Sequence, residues 1–131
     1  MTLNVRIMTP DKIFWSDQAQ EIILPTNTGQ MGVLSSHASL VTALDIGVMS
    51  IRQNNDWTFF ALMNGFASIQ NDQVIVLVNE AESKEEIDAD QAQSTFEEAQ
   101  KHVVGAKDKK SRVEANLAFK RARTRFLITK D

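Results

Sequence analysis

Apolar and polar residues alternate through the first two thirds of the chain, the period expected of strands that bury one face. Leu3, Val5 and Ile7 alternate with Asn4, Arg6 and Met8, and Thr9-Pro10-Asp11 supplies a turn before the Ile13 to Trp15 run. Ile22 to Leu24 and Met31 to Leu34 predict further strands, separated by the turn-rich Pro25-Thr26-Asn27-Thr28-Gly29. Two hairpins are expected next. Ile46 to Gln53 and Trp57 to Met63 flank Asn54-Asn55-Asp56, while Gly65 to Gln70 and Gln73 to Val78 flank Asn71-Asp72. Asn and Asp tolerate the left-handed conformations that tight turns require. Many short strands with regularly spaced turn signals predict a β-sandwich or barrel.

Near residue 83 the period changes. After Ala81 the chain becomes rich in Ala, Glu, Gln and Lys, a composition that favours helix. Asp88 is placed to cap a helix, with Gln91 as its capping-box partner and Ile87 set to staple against Ala92. Ala92, Phe96, Ala99 and Val103 form one stripe, ended by Gly105. Beyond a charged Lys107 to Lys110 loop, Ala115, Ala118, Phe119, Ala122 and Phe126 form a second stripe, whose alanines permit close helix approach. The two stripes predict a helical hairpin. Val113 and Leu117 lie nearly opposite the second stripe, so that helix is expected to meet something besides its neighbour. The expected architecture is α+β: a sandwich over residues 1–83, then a helical hairpin over 84–131.

A chain of 131 residues with 43% hydrophobic content has room for one compact domain and a modest appendage. No stretch approaches the ~18 to 20 apolar residues of a membrane span, and the N-terminus lacks a basic-then-apolar leader. The chain is therefore expected to be soluble where it is made. With no cysteine, disulfides, thiolate metal sites and thiol nucleophiles are excluded. The net charge of -3 argues against nucleic acid as a partner, but the charge is segmented. Up to Ser83 there are three basic residues against eight acidic, and Lys84 to Glu98 adds one against six. From Ala99 onward the balance reverses to ten basic against three acidic. That reversal fits either a solvated helical face or an acidic partner.

Candidate catalytic chemistry is sparse. Ser36 and His37 are adjacent, so their side chains tend to point apart, and nothing local suggests a Ser-His-Asp arrangement. His37 and His102 have no metal-site spacing to each other or to carboxylates. Gly29-Gln30-Met31-Gly32 lacks the Gly-Lys-Ser/Thr of a phosphate loop and reads as a turn. No catalytic residue, cofactor or metal is expected.

A more specific signal is the run from Ile23-Leu24-Pro25 through Leu44, which contains Gly29-Gln30-Met31-Gly32-Val33-Leu34 and His37-Ala38-Ser39-Leu40-Val41-Thr42-Ala43-Leu44. It resembles the epsilon-subunit family of chloroplast and cyanobacterial F-type ATP synthases, with its Gly-x-x-Gly, apolar pair, His-Ala-Pro and Leu-x-Thr-Ala pattern. Ile46-Gly47-Val48, Met1-Thr2-Leu3-Asn4 with Thr9-Pro10, Ala61-Leu62-Met63-Asn64-Gly65-Phe66-Ala67, Glu114-Ala115-Asn116-Leu117-Ala118 and Arg121-Ala122-Arg123-Thr124-Arg125 extend the resemblance over essentially the whole chain. Ser39 stands where the family usually has proline, and Asn64 where it usually has glycine.

The resemblance implies a ten-stranded sandwich followed by a helical hairpin, in a non-catalytic stalk subunit that couples rotation and restrains ATP hydrolysis. Its implied partners are the gamma subunit, the polar loops of the c-ring and, through the hairpin, the catalytic beta subunits. The implied location is peripheral, on the stromal face of the chloroplast thylakoid or the cytoplasmic face of a cyanobacterial one. Carried onto this sequence, the ring-facing loops fall on Thr28 to Met31 and Ser36 to Ala38, with Gln30, Met31 and His37 as candidates. The inhibitory candidates are Lys120, Arg121, Arg123 and Arg125. Bacterial relatives bind ATP through Ile or Leu, Asp, two variable residues, Arg and Ala. Here that segment reads Ile87-Asp88-Ala89-Asp90-Gln91-Ala92, and the arginine is absent. Gln91 cannot replace a guanidinium, so no useful ATP binding is expected. The competing class is an unrelated β-sandwich binding module with a helical interaction tail.

Overall fold

The computed structural model describes residues 2–129. Met1, at the head of the opening motif, and Lys130 and Asp131, at the end of the expected helical segment, lie outside the described residues. Ten strands precede two helices: β1 (Leu3–Met8), β2 (Ile13–Ala19), β3 (Glu21–Thr26), β4 (Gly29–Leu34), β5 (Leu40–Leu44), β6 (Gly47–Gln53), β7 (Asp56–Leu62), β8 (Gly65–Gln70), β9 (Gln73–Val78), β10 (Ala81–Ser83), α1 (Ala89–Gly105) and α2 (Lys109–Thr129).

The strands follow the order β10-β7-β6-β3-β5-β8-β9-β1-β2, with β4 paired to β3. Among the described residues only β1 and β9 pair in parallel; the other pairs are antiparallel. A single pairing, Thr26 with Leu44, links β3 to β5, so the path bends there into two layers. The alternating residues meet between the layers: Leu3, Val5 and Ile7 with Val74 and Val76 from one, and Ile22, Leu24, Met49, Ile51 and Leu62 from the other. All are essentially inaccessible, and each such side chain contributes about 1.5–3 kcal/mol on burial.

The turn chemistry agrees with the sequence. Asn71 (φ 49) and Asp72 (φ 61) are both left-handed, the signature of a type I′ hairpin. Asn54 (φ 58) plays the equivalent part between β6 and β7.

Several boundaries differ from expectation. β5 and β10 have no counterpart among the strands read from alternation. In β5 the first two residues, Leu40 and Val41, are exposed although apolar, which masks the period. β10 has three residues, all half-buried, and exists by pairing with β7. β2 continues past Trp15 through Ser16, Asp17 and Gln18, whose side chains are exposed and unconstrained by a core. Ile46 and Met63 fall just outside β6 and β7, and both join a second apolar cluster outside the sandwich.

Asp88 caps α1, its Oδ1 accepting from the Gln91 N–H at 3.1 Å. The expected Lys107 to Lys110 loop is shorter than predicted, since α2 already begins at Lys109. The missed signal is Asp108, whose Oδ1 accepts from the Ser111 N–H at 2.7 Å. The two stripes meet as expected. Ala92, Ala99 and Ala122 are buried, and Phe96 stacks on Phe119 and Phe126 with centroids 5.6 and 4.8 Å apart.

Candidate functional site

No side chains converge on a reaction centre among the described residues, and no group of three or more His, Asp or Glu is placed to hold a metal. No described helix is long and apolar enough to cross a membrane. The chemistry on offer is surface recognition, arranged on four parts of the molecule.

The first is the edge strand β4 and its flanks. Gln30 is exposed opposite Pro25, next to the β3–β4 turn. The Thr26 hydroxyl closes that turn by donating to the Gly29 carbonyl. Met31 is half-buried and packs against the main core. His37 lies past the far end of β4, in a loop where Ser36 is left-handed (φ 67) and its N–H donates to Asp72 Oδ1 at 2.6 Å. His37 Nδ1 lies 2.7 Å from the Ala38 carbonyl oxygen, which can only accept, so Nδ1–H donates to it. Gln30 and His37 thus flank one edge strand from opposite ends, and the strand between Gln30 and Leu34 alone spans roughly 13 Å.

The second is the basic side of α2. Lys120 Nζ lies 3.1 Å from Asp45 Oδ2, and Arg125 Nε lies 2.7 Å from Glu82 Oε1, both pairs linking hairpin to sandwich. Arg121 and Arg123 are exposed. Further along, Ile128 is buried in the cluster of Ile46, Ala61 and Met63, with Val48 and Ile87 packed around it. The hairpin is therefore folded against the sandwich. Val113 and Leu117 stay exposed toward the hairpin tip.

The third is the start of α1. Glu82, Glu86, Asp88 and Gln91 border a narrow cleft of about 140 Å³ whose one cation, Arg125, is already held by Glu82. Three carboxylates against one committed guanidinium make a poor seat for a polyanion. Among the remaining carboxylates, Asp108 is held below its ordinary range by the Ser111 side chain and N–H, and Asp17 by the Gln18 N–H and the Gln53 side chain.

The fourth surface was not legible as a site. On the outer face of β5, β8 and β9, Val41, Phe66, Ile75 and Leu77 are all exposed, with Phe66 directly opposite Leu77 and Ala43. The available signal was the Val74 to Val78 run, apolar at outward as well as inward positions, which marks a strand covered on both faces. Asp45 and Glu82 were likewise missed, since pairs distant in sequence leave no local pattern.

The fold and the hairpin match two adjoining descriptions of one family: ATP synthase, Delta/Epsilon chain, beta-sandwich domain over residues 2–84, and long alpha-helix domain over residues 85–130. The chain belongs to the ATP synthase Delta/Epsilon family. It is 58% identical over 128 residues to the chloroplastic ATP synthase epsilon chain of Tupiella akineta, covering 98% of both chains. It is also 58% identical over 130 residues to that of Chlorella vulgaris, covering 99% of this chain and 97% of the relative. In fold it resembles a chain of the Euglena gracilis mitochondrial ATP synthase, with a TM-score of 0.82 at 23% identity, over 94% of this chain and 78% of that one. A chain of the Tetrahymena thermophila mitochondrial ATP synthase central stalk and c-ring gives 0.70 at 16%, over 98% and 97%. Membership together with these identities makes the chain an epsilon-type, non-catalytic subunit of an F-type ATP synthase, chloroplastic in type and peripheral to the thylakoid membrane.

Proposed function

We propose that this subunit docks on gamma through the outer face of β5, β8 and β9 and seats on the polar loops of the c-ring through Gln30, Met31 and His37. In this reading it passes torque between them at the stromal face of the thylakoid. The supporting observation is the row of exposed apolar side chains Val41, Phe66, Ile75 and Leu77 on a layer that the hairpin leaves uncovered. A contiguous exposed apolar patch on a small domain marks an interaction surface. The hairpin is the inhibitory element: once released, Lys120, Arg121, Arg123 and Arg125 meet acidic segments of the catalytic beta subunits by salt-sensitive attraction. The sandwich (1–83) and the hairpin (84–131) act as separable units. Nucleotide has no part in the scheme, because the acidic cleft beside Asp88 lacks a free cation.

The test is capture of purified gamma by the chain and by Phe66→Glu. Both positions in the Phe66–Leu77 pair face outward, so the substitution spares the core, and gamma binding should fall at least tenfold, the scale of a lost interface anchor worth about 1.4 kcal/mol or more. Undiminished capture by a folded Phe66→Glu chain would remove this face from the gamma contact.

A further inference from the structure

We propose that Asn64-Gly65 is a site of spontaneous covalent self-modification, at which the asparagine amide is converted to aspartate and isoaspartate. Asn64 is exposed at the junction of β7 and β8, held left-handed at φ 62. Its side chain has no hydrogen-bond partner among the described residues. Gly65 follows it, and Asn64-Gly65 is the chain's one asparagine-glycine pair. A nucleophilic main-chain nitrogen next to a bare Cα meets no side chain on its approach to the asparagine carbonyl carbon.

The chemistry balances without any reagent beyond water. The Gly65 nitrogen loses its proton and bonds to Asn64 Cγ. The Cγ–Nδ2 bond breaks, and ammonia leaves carrying that proton, which closes a five-membered succinimide. Water then opens the ring at Cγ, giving aspartate in a normal chain, or at the main-chain carbonyl, giving isoaspartate and a backbone longer by one carbon. Because the nitrogen must be deprotonated, the rate rises with pH.

Two other left-handed asparagines serve as internal controls. Asn54 (φ 58) precedes Asn55, and Asn71 (φ 49) precedes Asp72, so the attacking nitrogen in each case carries a substituted Cα. Asn71 also stands in a two-residue turn tied to the Ser36 loop by the Asp72 side chain.

The consequences are local. Asn64 lies on the rim of a surface cleft of about 590 Å³ shared with Asn27, Leu44, Phe66 and Leu77, so either product places a carboxylate beside exposed apolar side chains. Isoaspartate does more. It lengthens the main chain immediately before Gly65 (φ 157), a residue so closely packed that a Cβ there would be driven into the Leu77 carbonyl.

The test is ageing of the folded full chain at mildly alkaline pH, with peptide mass mapping of the amide-to-acid change and isoaspartyl methyltransferase labelling of the aged protein. Asn64 should be the first asparagine converted, with methyltransferase label confined to its peptide, and Asn64→Gly should abolish both signals. Glycine is at ease at φ 62, so that variant keeps the turn. Conversion of Asn64 in the denatured chain but not in the folded one would overturn the proposal. So would conversion of Asn54 or Asn71 at the same rate.

Discussion

Truncating Ile128 to alanine should release the hairpin from the sandwich more effectively than removing either ion pair between them. Ile128 is only 5% exposed and fills a cluster with Ile46, Ala61 and Met63. Removing a buried isoleucine to alanine costs about 2–5 kcal/mol, and a small cluster at the surface can partly collapse, so about 2–3 kcal/mol is expected. At 1.4 kcal/mol per factor of ten, the docked-to-released ratio falls roughly 30- to 150-fold. The ion pairs are weaker. Side chains of Arg125 and Glu82 are 41% and 21% exposed, and those of Lys120 and Asp45 48% and 32%. Solvent screening at that exposure leaves about 0.2–1 kcal/mol per pair, at most roughly fivefold. Because the chain has no cysteine, a single pair introduced at the exposed Asn55 and Lys101 and labelled with a donor and an acceptor dye reads the released fraction by energy transfer. Arg123→Ala, on an exposed side of α2, is the control. The reasoning is refuted if Arg125→Ala releases as much hairpin as Ile128→Ala, or if Ile128→Ala behaves like the control. High salt should act like loss of the ion pairs, a few-fold at most, since the Debye length of about 3 Å at 1 M leaves the apolar contact untouched.

Three further outcomes are expected. Replacing Gln30 and His37 together by glutamate should weaken seating on the c-ring without lowering the melting temperature of the sandwich, because neither side chain is in the core; unchanged proton-driven ATP synthesis would remove them from the ring contact. A chain ending before Asp88 should still assemble, since the main cluster draws only on strand residues, yet should restrain ATP hydrolysis less; equal inhibition by the truncated chain would make the sandwich the inhibitor. Calorimetric titration of the isolated chain with Mg-ATP should show no saturable binding, given the carboxylates of Glu82, Glu86 and Asp88 around the α1 start; saturation in the low-millimolar range or tighter, above roughly 4 kcal/mol of binding free energy, contradicts that.

Local pattern carried most of the architecture. The hairpin turn at Asn71-Asp72, the cap at Asp88 and the stripes that bury Ala92, Ala99 and Ala122 and bring Phe96 to Phe119 and Phe126 are decided by residues within a few positions of one another and are legible there, although Ala118 of the second stripe is exposed. The failures share a cause. β5 and β10 owe their existence to partners remote in sequence, Ile69 to Gly65 for one and Phe60 to Leu62 for the other, so their own residues show no clean period. The candidate surfaces divide in the same way. Gln30, Met31 and His37 are candidates through a contiguous motif, whereas their separation along the edge of β4 follows from pairing that the motif does not encode.

The sequence by itself determined the change from strand to helix near residue 83, the faces that enter each core, and family membership, because these depend on residue order alone. Tertiary structure decided which charges are engaged and which apolar faces are left open. The four basic candidates near the end of α2 are equivalent in sequence, yet Lys120 and Arg125 are held by Asp45 and Glu82 while Arg121 and Arg123 face solvent. Phe66 and Ile69 are both apolar strand residues of β8, but an odd spacing in a two-residue repeat sends one outward and the other into the core. Whether an outward apolar side chain is covered depends on where the hairpin lands: it lies over Ile46, Ala61 and Met63 and leaves Val41, Phe66 and Leu77 exposed on the other layer, a choice made by packing between segments more than sixty residues apart.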